Sequence, residues 1–130
     1  MTIKRIRSVP GGPEPVGPYS QAVVADGLIF TSGQIPAVPG EAWPMTFAGQ
    51  VRQTFANLAD LLAGAGSDLS RVVKVNAYLT DEAYLDEFNR IYLETFGDGL
   101  PARTTVAVRL WGVLLEVDCI ATCARAPEEL

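Results

Sequence analysis

The nine residues VLLEVDCIA, 113 to 121, constrain this chain more than any other stretch. Read as a β-strand, they put Val113, Leu115, Val117, Cys119 and Ala121 on one face and Leu114, Glu116, Asp118 and Ile120 on the other. The first face is wholly apolar and suits packing beneath helices. The second is apolar at its ends and acidic in its middle. It would lie bare in a lone subunit, so other copies of the chain are expected to cover it. A carboxylate in such a strand loses hydration at considerable cost. Glu116 is therefore either compensated in an ion pair or held where it can orient and activate water.

The rest of the chain supplies what that strand needs. AVVA and LIFT flank Asp26-Gly27, a two-residue hairpin signal, because a type I′ turn requires positive φ at both central positions. Between Met45 and Ala63 the residues Phe47, Val51, Phe55, Leu58 and Leu62 recur at helical spacing, and Gly64 and Gly66 end the stripe. RVVKVNAYLT alternates as a strand, with Val73, Val75, Ala77 and Leu79 on one side. A second helix is predicted from about Asp81, its N-cap, with Leu85, Phe88, Tyr92 and Phe96 facing inward and Gly97 as its stop. TTVAVRL and VLLEVDCIATC read as a second hairpin around Trp111-Gly112, and PGGPEPVGP and IPAVPGEAWP as loops. Hairpin, helix, strand, helix, hairpin over residues 1–130 predicts one α+β domain with both helices on one sheet face.

Composition narrows the chemistry. A net charge of -5 disfavours a surface that collects phosphates, and Lys4, Arg5 and Arg7 read as a solvated strand edge. The sequence contains no histidine. Cys119 and Cys123, four apart in one strand, would stand about 13 Å apart, beyond disulfide reach. Zinc sites of the Cys/His type and histidine-based triads are thereby excluded. No apolar run is long enough to cross a bilayer, and MTIKRIRS lacks the features of a signal peptide, so a cytoplasmic protein is expected.

What remains is carboxylate, guanidinium, hydroxyl, amide and backbone. Arg103, at the start of a strand, is either a surface residue or a planar fork for a carboxylate. Asn89 lies among Phe88, Tyr92 and Phe96, so its amide either looks inward or into water. Tyr19 in GPYSQA either closes the end of the sheet or lines a cleft. Ser32-Gly33 is a turn, or a place where a ligand approaches the main chain.

Five blocks in order, GPYSQAVVADGLIFTSGQIP, QVRQTFANLADLLAGAGSDLSRVVKVNAYLTD, FNRIYLETF, PARTTVAV and LLEVDCIA, resemble the YjgF/RidA family of imine/enamine deaminases, from about Pro13 to Ala124. The resemblance implies a chorismate-mutase-like α+β fold and a homotrimer around a central barrel, with ligand clefts between adjacent subunits. It implies that Arg103 binds a substrate carboxylate and Glu116 holds the attacking water, while Tyr19, Ser32, Gly33 and Asn89 shape the pocket. Thr105 stands where many members carry cysteine, and its backbone or hydroxyl would replace that contact. The implied substrates are 2-aminoacrylate-like enamines and their imine tautomers, converted to a 2-keto acid and ammonia without cofactor or metal. A noncatalytic trimer that binds small carboxylates is the alternative. Ribonuclease activity, sometimes attributed to the family, fits poorly with the acidic, histidine-free composition. Two further departures stand out: the segment from Arg103 to Glu116 is shorter by two residues than the family pattern, with Trp111-Gly112 at its turn, and Asp118 replaces a common glutamate.

Overall fold

Asp26 and Gly27 take φ of 52° and 78° and turn the chain back on itself, as their identities require. The computed structural model describes residues 2–124. Strand β2 (Ala22–Ala25) thus meets β3 (Leu28–Thr31) with Ala25 opposite Leu28, and β1 (Ile3–Ile6), carrying Lys4 and Arg5, pairs outside β2 as the sheet edge.

Helix α1 (Phe47–Gly64) begins where the Thr46 side chain accepts a hydrogen bond from Gly49 N at 3.0 Å. It ends in a Schellman arrangement: Gly66 has φ of 87°, its N–H donates to Ala63 O, and Ser67 N donates to Leu62 O. The five stripe residues of α1 are all buried. After β4 (Val72–Leu79), Asp81 caps a single 3-10 turn (Glu82–Tyr84), and only then does α2 (Leu85–Phe96) start. The inward face of α2 is Phe88, Ile91 and Tyr92, with Phe96 partly buried. Leu85, expected there, is exposed, because the intervening turn makes it the first residue of the helix, at the margin of the core. Phe55, Phe88, Tyr92 and Phe96 interlock, with ring centroids 4.7–6.0 Å apart, and fix the helices to each other.

β5 (Ala102–Ala107) and β6 (Leu115–Thr122) complete a six-stranded sheet in the order β1-β2-β3-β6-β4-β5. The predicted second hairpin is not formed. β5 runs parallel to β4 and β6 antiparallel to it, one on each side, so the connection around Trp111 crosses over the end of β4. The cause lies in α2: a strand, a helix and a strand that returns to the same sheet give parallel neighbours, which leaves the other edge of β4 for β6. A second correction concerns β4. A bulge between Val72 and Lys74 turns Val73 outward and leaves Val72, Val75, Ala77 and Leu79 under the helices.

The two faces of β6 divide as its sequence dictates. Leu115, Val117, Cys119 and Ala121 are buried against the helices. Across the sheet, Phe30 and Val106 remain 42% and 43% exposed on the same side as Ile120, Glu116 and Asp118, an apolar and acidic surface that none of the described residues covers.

Candidate functional site

Glu116 sits on the bare face of β6, opposite Tyr78 of β4. The segment that leaves β3 is pinned alongside it: Gln34 N donates to Val117 O at 2.7 Å and Val117 N to Gln34 O at 3.0 Å. This lays Gly33 directly on the Glu116 side chain. A Cβ at Gly33 would overlap the carboxylate, standing 2.6 Å from Glu116 Cδ, so the residue must be glycine for the acid to occupy its place. Ser32 Oγ donates to Ser20 O at 2.6 Å and Ser32 N to Gln21 O at 2.8 Å, which ties this corner to the GPYSQA loop. Tyr19 follows from that loop, its hydroxyl accepting from Val16 N. Glu116, Gly33, Ser32 and Tyr19 thus line one groove of about 480 Å³, together with Trp43, Trp111 and Val113.

The other predicted residues converge elsewhere. Arg103 lies opposite Val75 at the β5 edge, on the helix-covered face. Its Nη2 donates to Asn89 Oδ1 at 2.7 Å, and its guanidinium lies over the rings of Tyr92 at 4.6 Å and Phe88 at 5.3 Å. Asn89 therefore looks inward, with its amide oxygen on the arginine. Thr105 shares the face of Arg103, two residues on, opposite Ala77. Within one chain the seven residues thus form two groups on opposite sides of the sheet: Tyr19, Ser32, Gly33 and Glu116 in the groove, and Asn89, Arg103 and Thr105 at the edge.

Their electrostatics differ as sharply. Glu116 has no ion-pair or hydrogen-bond partner among the described residues, and its carboxyl is pushed above the ordinary glutamate value by burial first and by the charge of Asp118 second. Asp118 is itself engaged, accepting from Asn76 Nδ2 at 2.8 Å and Tyr78 Oη at 3.0 Å. Burial, then the bond to Asp118, hold the Tyr78 phenol above its usual range. Cys119, packed under the helices, has its thiol raised to about 12 by burial and is chemically inert. Among the described residues no three His, Cys, Asp or Glu side chains converge as metal ligands would.

Sequence reasoning missed three contributors. Tyr92 and Phe88 were legible as an inner helix face but not as the floor beneath a guanidinium, although Asn89 between them on the same helix was the available signal. Gln34, buried and bonded to Gln21 Oε1 at 2.9 Å, braces the corner that carries Gly33, and its place immediately after Ser32-Gly33 was the clue.

This sheet and these helices recur in known proteins. Residues 11–123 match the model of the family described as Endoribonuclease L-PSP. Over 110 residues the chain is 43% identical to the mitochondrial protein mmf1 of Schizosaccharomyces pombe, covering 81% of this chain and 68% of that protein. Over 123 residues it is 36% identical to the chloroplastic Reactive Intermediate Deaminase A of Arabidopsis thaliana, covering 92% and 66%. Among solved structures, yeast Mmf1 matches with a TM-score of 0.88 at 33% identity over 95% of this chain and 100% of that one. Escherichia coli TdcF with bound serine matches at 0.86 and 31%, over 93% and 100%. The fold is that of the YjgF/RidA structures. The chain belongs to the Endoribonuclease L-PSP family, the same group.

Proposed function

We propose that the protein is a homotrimer whose groove on one subunit is completed by the Arg103 edge of the next, and that it hydrolyses 2-imino and 2-enamino acids to 2-keto acids and ammonia. The observation that carries this reading is complementarity. The groove contains two carboxylates, Glu14 and Glu116, and among the described residues neither lysine nor arginine lines it. The edge contains a guanidinium braced by Asn89 and two rings. A carboxylate ligand would be repelled by the first alone and held without a nucleophile by the second alone. The exposed Phe30, Val106 and Ile120 side of the sheet is the apolar surface that would bring the two together.

In the joined site Arg103 grips the substrate carboxylate with two parallel N–H···O bonds, which fixes the C=N carbon over Glu116. Glu116 accepts a proton from water as its oxygen bonds to that carbon, and the C=N π pair moves to nitrogen. The proton returns to nitrogen to give the carbinolamine, Glu116 then carries the hydroxyl proton to the same nitrogen, and the C–N bond breaks so that ammonia leaves as the C=O bond forms. An enamine enters after tautomerising to the imine. Burial keeps Glu116 a better proton acceptor than a solvated glutamate, in line with its raised pKa. A relative named Reactive Intermediate Deaminase A and a neighbour holding serine support a small amino-acid-like ligand.

The test is to generate 2-aminoacrylate-type enamine with a threonine dehydratase and follow semicarbazone formation. Faster loss of the trappable imine with the protein present is the expected result. A rate equal to buffer, with carboxylate binding retained, would replace hydrolysis by binding alone. The shortened connection carrying Trp111 is the feature that favours this second reading.

A further inference from the structure

Trp111 is 94% exposed, yet the connection that carries it is anchored at both ends. Val108 N donates to Leu79 O at 2.8 Å. At the other end Leu114 N donates to Gln50 Oε1 at 2.9 Å, and Leu114 O accepts from Thr80 N at 3.1 Å. Between these anchors Gly112, with φ of 86°, packs so closely on Trp43 that an added Cβ would stand 3.0 Å from the indole. The turn that displays one indole therefore fixes the other. Both rings line the groove that holds Glu116, along with Tyr19, Ile35 and Val113.

Packing within the chain does not explain two indoles and a phenol around this carboxylate, since Trp111 is left exposed at the groove by its own chain. The groove measures about 480 Å³ in one chain, and the indoles form its wall before a neighbouring Arg103 edge closes it. A planar ring brought between such walls loses its apolar hydration and gains offset or edge contacts with the indoles, an addition of roughly tenfold in affinity beyond area alone.

We infer that the groove selects 2-imino acids with an aromatic, phenylalanine-like side chain, and that Trp111 and Trp43 are the residues that set this preference. The chemistry of the inference rests on the deaminase reading, while the side-chain preference rests on the groove itself.

Two measurements on the purified protein separate them. Calorimetry with phenylpyruvate and pyruvate reads the preference without turnover. Imino acids released in situ from phenylalanine and alanine by an amino-acid oxidase, followed by semicarbazone trapping, read it in catalysis. Phenylpyruvate is expected to bind at least about tenfold tighter than pyruvate, with the kcat/KM ratio following. Trp111→Ala should bring both ratios down by roughly tenfold, and Trp111→Phe should retain most of the preference. Equal binding of the two keto acids, or ratios unmoved by Trp111→Ala, overturns the inference. If neither imino acid is hydrolysed faster than in buffer while the binding preference and its loss in Trp111→Ala both hold, the deaminase reading fails and the side-chain selectivity stands.

Discussion

Arg103 and Glu116 occupy opposite conditions on one chain. The arginine is satisfied: an amide oxygen orients it, two aromatic faces support it, and its free edge looks out from the β5 margin. The glutamate is unsatisfied, half-buried against a glycine with a second acid nearby and no partner among the described residues. A braced cation at one margin and a desolvated acid with no counter-charge among the described residues are complementary, which is why the proposed site joins them across two copies of the chain.

The sharpest way to break that pairing is Glu116→Gln. If the acid handles the proton of water, turnover should fall by about 10³-fold, with keto-acid affinity changed by no more than about threefold in calorimetry. A comparable loss of affinity would make Glu116 a binding residue. Arg103→Ala comes next. Removing two charge-assisted contacts should weaken carboxylate binding by about 100-fold, with the circular dichroism spectrum and melting temperature close to wild type. A variant that unfolds would mean the guanidinium serves the Phe88–Tyr92 packing instead.

Gly33→Ala tests the seat rather than the acid. Its methyl must displace the Glu116 carboxyl, and a shift of about 1 Å should cost roughly 30-fold in kcat with KM little changed. Asp118→Asn has the smallest effect. Glu116 works as the carboxylate, so activity falls as pH drops through its raised pKa. Neutralising Asp118 removes the second cause of that rise, and the acid limb of the pH–rate profile should move to lower pH while the plateau holds. A limb that stays in place would mean that burial alone sets the titration.

The same contrast marks what could be read from the chain beforehand. Local chemistry was legible. Asp26-Gly27 announced its turn, the α1 stripe announced its buried face, and the alternation in VLLEVDCIA separated the covered side of β6 from the bare one. Register and partnership were not. Trp111-Gly112 looked like a hairpin because two strands flank it. The choice of β4 as the shared neighbour depends on α2 returning its chain parallel to β4, a non-local constraint. Val73 was misassigned because a bulge costs the sequence no visible mark. For the candidate site, the sequence singled out Arg103, Glu116 and Gly33, but the reason Gly33 must lack a side chain lies in contact with a residue 83 positions away. The floor beneath Arg103 emerged only once α2 was packed.

A site shared between copies makes a demand that no single-chain arrangement can meet. Co-expressing differently tagged Arg103→Ala and Glu116→Gln chains and isolating mixed oligomers puts an intact arginine opposite an intact glutamate at some joints. Hydrolysis should return to about a third of the wild-type rate, because every mixed trimer has one joint in three where the two intact residues meet, although each parent alone is inactive. Mixed oligomers confirmed by native mass spectrometry that remain as inactive as their parents would contradict the shared site.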